Sequence, residues 1–287
     1  MRVAVDLVAN VVLLAAIFGL VNVGLVVLYR STGVLSFAQG HLLMFGAYIM
    51  STVQPSLGYW GGLAVTVGVI AVMGVVIYAT TMRFMLGKSE FEKVVMSFLV
   101  ALIITQVIDL IWSTQSRSIS PPTSAVIGIG AGRLPWSSVI SLGIAVGVVG
   151  VLTFLIFRTV PGLRMRALAH NETLAVYSGM RVHRLSGLAW VVAGATAAIA
   201  GVVFAQTSSV TFSLADIGLL AFPAAVLGGL KSIPGSLIGS VVLAAIFTVA
   251  NYLLGGVLGG SVVYLFMLAV LLVLPFGLFG RRTAQRL

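Results

Sequence analysis

Three histidines, six acidic residues and no cysteine are the titratable stock from which this 287-residue chain would have to build a reactive centre. A zinc protease site needs two His one helical turn apart with a Glu between them, and His41, His170 and His183 are scattered. Without Cys there is no disulfide framework, no thiolate metal site and no thiol nucleophile. Gly87-Lys88-Ser89 looks like the end of a phosphate-binding loop, but that pattern requires Gly where Met82 stands, and no soluble strand precedes it. Lys88 reads instead as an orientation charge. A serine protease within the membrane needs a Ser facing a basic partner, and no such pair stands out. The expected catalytic, metal and cofactor sets are therefore empty, and the chain is not read as an enzyme.

Ion-coupled carriers keep ionisable groups in mid-membrane, because those groups carry the coupling. Asp6, Asp109 and Asp216 lie near the ends of apolar runs, and the Glu residues fall in the gaps between runs. Asp109 reads as an interfacial carboxylate near Arg117 rather than as a coupling site. Two polar, glycine-containing stretches remain. The first, YRSTGVLSFAQGH at 29–41, carries Ser36, Phe37, Gln39, Gly40 and His41 into the start of an apolar run. The second, AVLGGLKSIPG at 225–235, interrupts a pair of apolar runs at Gly228 and Gly229. Interrupted segments in the two halves of a chain point to a substrate path, because unwound backbone is tolerated only beside protein or water. Two readings stay open for Gln39 and His41, a path lining or a helix–helix hydrogen bond. For 228–235 a tight inner turn competes with substrate contact.

The elements that must position these residues follow from composition. Hydrophobic residues make up 60% of the chain and charged residues 8%, about a third of the soluble average. So few polar side chains cannot cover the apolar ones, which excludes a soluble enzyme, a disordered chain and a disulfide scaffold. The net charge of +10 is spread over short gaps between apolar runs, which is a membrane-orientation pattern rather than a nucleic-acid surface. A crossing helix needs about 20 mostly apolar residues. Such runs fall at 5–28, 36–53, 60–81, 94–112, 136–157, 186–206, 214–230, 235–254 and 260–279. The second is interrupted at its start, and the seventh is short and holds Asp216 and Pro223. The first is too long for a cleaved leader and is expected to stay.

The reading is an all-α, polytopic membrane protein of about nine transmembrane helices, a single domain over 1–287. With the C-terminus inside, the inner gaps hold all of the 16 Lys and Arg except Arg2, Arg117 and Arg133, so the N-terminus is expected outside. The outer gap at 113–135, rich in Ser, Pro and Gly, is expected to be irregular. The inner gap at 158–185 is expected to hold two short helices, one over 163–169 and one capped by Asn171, starting at Glu172 and ended by Gly179. Gly143-x-x-x-Gly147, Gly235-x-x-x-Gly239 and Gly256-x-x-x-Gly260 have the spacing that lets helices approach closely.

At these stretches the sequence resembles the permease subunits of ABC importers for branched-chain amino acids. The stretch 29–40, continuing through Met44, Gly46 and Tyr48, is similar to the family's early signature. GLRMRALAHN at 162–171, then Ala175 and Ser178-Gly179-Met180, resembles its loop between the two halves. AVLGGLKSIPG at 225–235 with Gly239, and PFGLFGR at 275–281, resemble its late motif and its ending. The matches run in order over nearly the whole chain. They imply a bacterial inner-membrane permease that pairs with a second, related permease chain. Two cytoplasmic ATPase subunits would supply energy, and an extracytoplasmic solute-binding protein would deliver cargo.

The resemblance also implies that Arg164, Arg166, Ala167, Asn171, Glu172 and Gly179 dock on the ATPase and pass its closure to the spans. Position 36 is Ser where many relatives have Asn, and position 41 is His where an acidic residue is common. The implied cargo is a branched-chain amino acid or a related small solute such as urea or an amide. The rivals are a secondary carrier or channel working without ATPase partners and a non-transporting scaffold. Neither rival accounts for four ordered motifs.

Overall fold

The structure is a computed structural model that describes residues 2–273 and 278, apart from 86, 114, 124, 130, 131 and 171. Helix α1 (Arg2–Thr32) has almost no polar face, and Phe18, Leu20, Val21 and Val26 are fully buried along it. A helix apolar all round belongs inside a bundle. Accordingly α1 packs against α7 (Val182–Ala205), α8 (Leu214–Gly228) and α9 (Ile233–Leu254).

The long helix α2 (Ala38–Thr80) covers both the second and the third apolar run. Its axis breaks at Gly58, where φ is 68° and ψ −178°, three residues after Pro55. Pro55 removes a helix donor and Gly58 takes a backbone conformation closed to residues with a Cβ, so one helix becomes two limbs. Both limbs lie along α7, and Gly46 faces Ala198 while Gly194 faces Ile70.

Helix α3 (Glu90–Trp112) starts on Ser89, whose hydroxyl accepts from the Glu92 N–H and donates to the Glu92 carboxylate at 2.9 Å. Gly87-Lys88-Ser89 is thus the entry to a capped helix. Helices α4 (Trp136–Arg158) and α10 (Gly256–Val273) complete the apolar set.

Over the described residues, each of the nine apolar runs falls mainly on one helix or one limb of α2. Six helices among the described residues are long and apolar enough to cross a bilayer. At 15 residues, α8 is about 22 Å long and falls short of a hydrocarbon core of about 30 Å.

Two expectations for the gaps need correction. The outer gap carries an antiparallel hairpin, β1 (Val126–Ile129) on β2 (Gly132–Pro135), so the chain is not purely helical. Its start is tied down as well. Arg117 and Val210 exchange backbone hydrogen bonds of 2.8 and 3.1 Å, and the Gln54 amide brackets the Ser120 backbone at 2.6 and 3.1 Å. Pairing satisfies backbone groups that an unordered loop would leave to water. The second correction lies in the inner gap, where the first helix, α5 (Val160–His170), begins three residues before the expected 163. Pro161 falls in its first turn, where a missing N–H costs nothing.

Candidate translocation path and coupling loop

The chain leaves α1 through a short turn that fixes the polar stretch. The Thr32 hydroxyl donates to the Leu28 carbonyl at 2.8 Å and accepts from the Val34 N–H at 3.2 Å. From α3, Ser97 braces the extended segment, with its hydroxyl 3.2 Å from both the Leu35 carbonyl and the Phe37 N–H. The first turn of α2 then places Gln39 inward. Its Nε2 donates to the Ala193 carbonyl of α7 at 2.9 Å, while its Oε1 has no partner among the described residues. Ser36 Oγ is also unpartnered, and the two residues are only 5% and 2% exposed, Ser36 and Gln39 respectively. Phe37 stacks on Phe222 of α8 with centroids 5.9 Å apart. His41, half-buried, keeps Nδ1 3.3 Å from the Phe37 carbonyl.

Beside these residues α2 and α8 touch backbone to backbone. A Cβ on Gly40 would meet the Ala215 carbonyl, and one on Gly218 would stand 2.6 Å from the Gly40 nitrogen. The cavity bounded by Ser36, Phe37, Gln39, Gly40 and Phe222 is about 10 Å³, the room of a single water. Both unpartnered oxygens belong to residues that line this small cavity. Buried polar atoms without partners are rare and mark a strained or functional position.

The second stretch is built differently. Gly228 ends α8, Gly229 turns with φ 93°, and the Ser232 hydroxyl accepts from the Gly235 N–H at 3.1 Å to cap α9. A Cβ on Gly228 would meet the Gly235 carbonyl, and one on Gly239 would meet that of Ala224. Gly228 and Gly229 are thus a close-packed turn, and they do not line the cavity beside Ser36. By contrast, Gly143, Gly147 and Gly260 have nothing within 4 Å of a Cβ. Among the described glycines of the three small-residue patterns, Gly235 and Gly239 are those that meet a neighbouring backbone.

The inner gap folds against the same end of the bundle. Gly162 brings α5 onto α4, where a Cβ would meet the Ile156 carbonyl. Arg166 Nη2 donates to the Phe157 carbonyl at 3.2 Å, and its guanidinium lies 5.2 Å from the Phe157 ring. Met165 and Leu168 are buried, so Arg164 and Ala167 face outward.

Helix α6 (Glu172–Tyr177) begins at the expected residue. Asn171 and the side chain of Glu172 lie outside the described set. The Met180 N–H bonds the Ala175 carbonyl at 3.1 Å around Gly179, whose φ is 74°. That 6→1 bond across a left-handed glycine is a Schellman ending. Gly179, Arg164, Arg181 and Arg184 border an open cleft of about 570 Å³. The loop is strapped to the bundle where His183 Nδ1 meets the Tyr78 hydroxyl at 3.0 Å and the Ser186 hydroxyl donates to the Ser31 carbonyl at 3.3 Å.

Reasoning from sequence passed over Asn22. It is fully buried in mid-α1, and its Nδ2 donates to Ser240 of α9 at 2.8 Å while Oδ1 is unpartnered. The available signal was an amide in the middle of an apolar run, which is costly unless used. Asp109 is exposed, and among the described residues it makes no ion pair with Arg117. No group of three metal-ligating side chains occurs among the described residues.

Residues 7–275 match the family model described as branched-chain amino acid transport system / permease component. The chain is 27% identical over 297 residues to the high-affinity branched-chain amino acid transport system permease protein LivH of Salmonella typhimurium, covering 96% of each. It is 26% identical to a probable branched-chain amino acid transport permease protein LivH of Methanocaldococcus jannaschii, covering 91% of this chain and 88% of that one. For BraD of Pseudomonas aeruginosa the identity is 23%, over 94% and 93%. Among solved structures, PsaBC from Streptococcus pneumoniae in complex with Fab aligns with a TM-score of 0.50 at 15% identity, over 92% of this chain and 91% of that one. This last likeness concerns the fold alone.

Proposed function

Because the chain belongs to the family of branched-chain amino acid transport system permease components, we propose that it is the membrane-spanning subunit of an ATP-driven importer for branched-chain amino acids or closely related small solutes. The observation that carries this reading is the family match over 7–275. Partners complete the machine: a second related permease, two cytoplasmic ATPases and an extracytoplasmic binding protein. The domain over 1–287 crosses a bacterial inner membrane nine times, each limb of α2 counting once and the short, largely buried α8 crossing inside the bundle where its ends need not meet lipid, with the N-terminus outside. The distribution of Lys and Arg supports this orientation.

Transport follows from moving packed elements. ATPase closure pushes on residues 158–185 through Arg164, Ala167, Asn171, Glu172 and the Gly179 ending. Arg166 on Phe157 and His183 on Tyr78 carry the push to α4 and α2. The α8–α9 turn at Gly228 and Gly229 moves as a unit and opens the seam between α2 and α8 beside Ser36, Phe37, Gln39, Gly40 and His41. The unpartnered oxygens of Ser36 and Gln39 then accept hydrogen bonds from the passing solute.

The test is uptake of radiolabelled leucine by cells carrying the transporter, with urea and isobutyramide as competitors. Gln39→Leu keeps the side-chain volume and loses one hydrogen bond, worth about 1 kcal/mol, while removing a buried unpartnered oxygen. Thermal stability in detergent is expected to change by a few degrees at most, while uptake falls about tenfold, the effect of about 1.4 kcal/mol at the barrier. Stability loss with normal uptake would make Gln39 a packing residue. His41→Asp places a carboxylate in the seam and is expected to shift the competition pattern among the three solutes. An unchanged pattern would remove His41 from the path.

A further inference from the structure

At the end of the bundle where α5 packs, α1, α4, α5 and the start of α9 meet around a small pocket. Arg30, Ser31 and Arg166 line it, with Ile156, Met165 and Ile233 as apolar walls, and no Asp or Glu takes part. Arg30 makes no hydrogen bond or ion pair among the described residues. Arg166 spends Nη2 on the Phe157 carbonyl, and its buried Nε is unpartnered among the described residues. Ser31 is 5% exposed, and its hydroxyl is unpartnered in the same way. Buried donors without acceptors are rare. Two guanidiniums at one pocket also repel each other unless an anion stands between them. The helix ends agree with an anion. Ile233 is the first residue of α9, so the positive end of that helix stands at the wall. The negative end of α1 is spent on the Thr32 hydroxyl and the Gly33 N–H, which bond the Leu28 and Tyr29 carbonyls.

We infer that this pocket binds a phosphate group, one oxygen of which enters beside Ser31 while Arg30 and Arg166 hold the others at the mouth. The free volume is about 10 Å³, the room of one water-sized atom, so a single phosphate oxygen fills it. Guanidinium forks match phosphate oxygens in charge and spacing. Both arginines are half-buried, so the pairing is screened less than on an open surface. The same chemistry is presented by the headgroup of an anionic phospholipid and by free phosphate. The setting suits the headgroup, because α4 shows Val151, Phe154 and Leu155 outward beside the pocket and basic pockets between spans hold such headgroups. A phosphate bound here fastens α5 to the end of α1. The leaflet it faces rests on the orientation proposed above; its ligand chemistry stands on the lining alone.

Two probes test it on the purified full-length protein in neutral detergent: fluorescent phosphatidylglycerol and radiolabelled inorganic phosphate. Phosphatidylglycerol is expected to bind at least tenfold more tightly than phosphatidylcholine, whose choline cation meets two arginines. Arg30→Gln should weaken it tenfold or more, Arg30→Lys by less than that, and Ser31→Ala about threefold. Arg158→Gln, an exposed arginine of α4 outside the pocket, should change it less than twofold. Ser31→Ala removes one hydroxyl from a buried helix position and keeps the test open if Arg30→Gln does not fold. Excess phosphate separates the sources. Phosphatidylglycerol that stays bound assigns the site to the lipid headgroup, and radiolabelled phosphate that binds and excludes it assigns the site to free phosphate. Binding of neither probe, binding unchanged in Arg30→Gln or in Ser31→Ala, phosphatidylcholine as tight as phosphatidylglycerol, or displacement by chloride as readily as by phosphate would overturn the assignment. ATP-dependent uptake that persists through such a failure would leave the importer reading standing. Arg30-dependent phosphate binding without ATP-dependent uptake would sink that reading and leave the pocket's chemistry in place.

Discussion

Gly228→Val is expected to cut the yield of folded protein at least tenfold, while Gly143→Val leaves it within twofold of wild type. A Cβ at 228 would enter the Gly235 carbonyl, and its neighbours cannot withdraw, because the clash is with backbone on both sides of a turn. Overpacking of this kind costs about 3 kcal/mol or more. Valine at 143 meets open space on α4 and disturbs only a helical surface. Fluorescence-detected size exclusion of tagged variants in mild detergent reads both effects. Equal loss in the two variants would mean that α8 and α9 do not meet through this glycine pair.

The second large effect is expected at the end of α6. Nothing stands within 4 Å of a Cβ on Gly179, so its requirement is conformational. Its φ of 74° costs a β-branched residue about 1–2 kcal/mol or more, whereas Asn tolerates the left-handed region. Gly179→Val should therefore misplace Met180 and the arginines beside it, lowering leucine uptake about tenfold while the chain still inserts and assembles. Gly179→Asn should retain at least half of wild-type uptake. Asparagine failing as badly as valine would show that the site needs a bare backbone, not a left-handed one. Valine retaining full uptake in an assembled complex would show that the α6 ending does not couple the loop to transport.

Sequence reading worked where a bilayer imposes the rule. Over the described residues, every apolar run corresponds to a helix or a limb of one, because a spanning segment must satisfy its own backbone and show hydrocarbon to lipid. The inner loop was legible for a different reason. Glu172 marks a start and Gly179 an end, and both mark α6 in the structure. What pairs with what across the bundle was not legible. Four-residue strands at 126–129 and 132–135 are too short to show a period, and their partners are fixed by the hairpin itself. Gly143 and Gly239 sit in the same sequence pattern, yet only Gly239 meets a neighbouring backbone, since spacing says where a helix can be approached and not which helix arrives. Gln39 and Ser36 stood out as polar residues entering a span. Asn22 did not, because a lone amide inside a long apolar run is outvoted in any window average, although its bond to Ser240 ties α1 to α9.

The measurement that bears most directly on the proposed importer is purification of the tagged protein from its native membrane in mild detergent, followed by mass spectrometry of the chains that accompany it. The account predicts two ATPase chains and a second permease in fixed proportion, with the ATPase chains released when residues 158–185 are disrupted. A stable, homogeneous preparation of this chain alone that still moves leucine in proteoliposomes without ATP would contradict it.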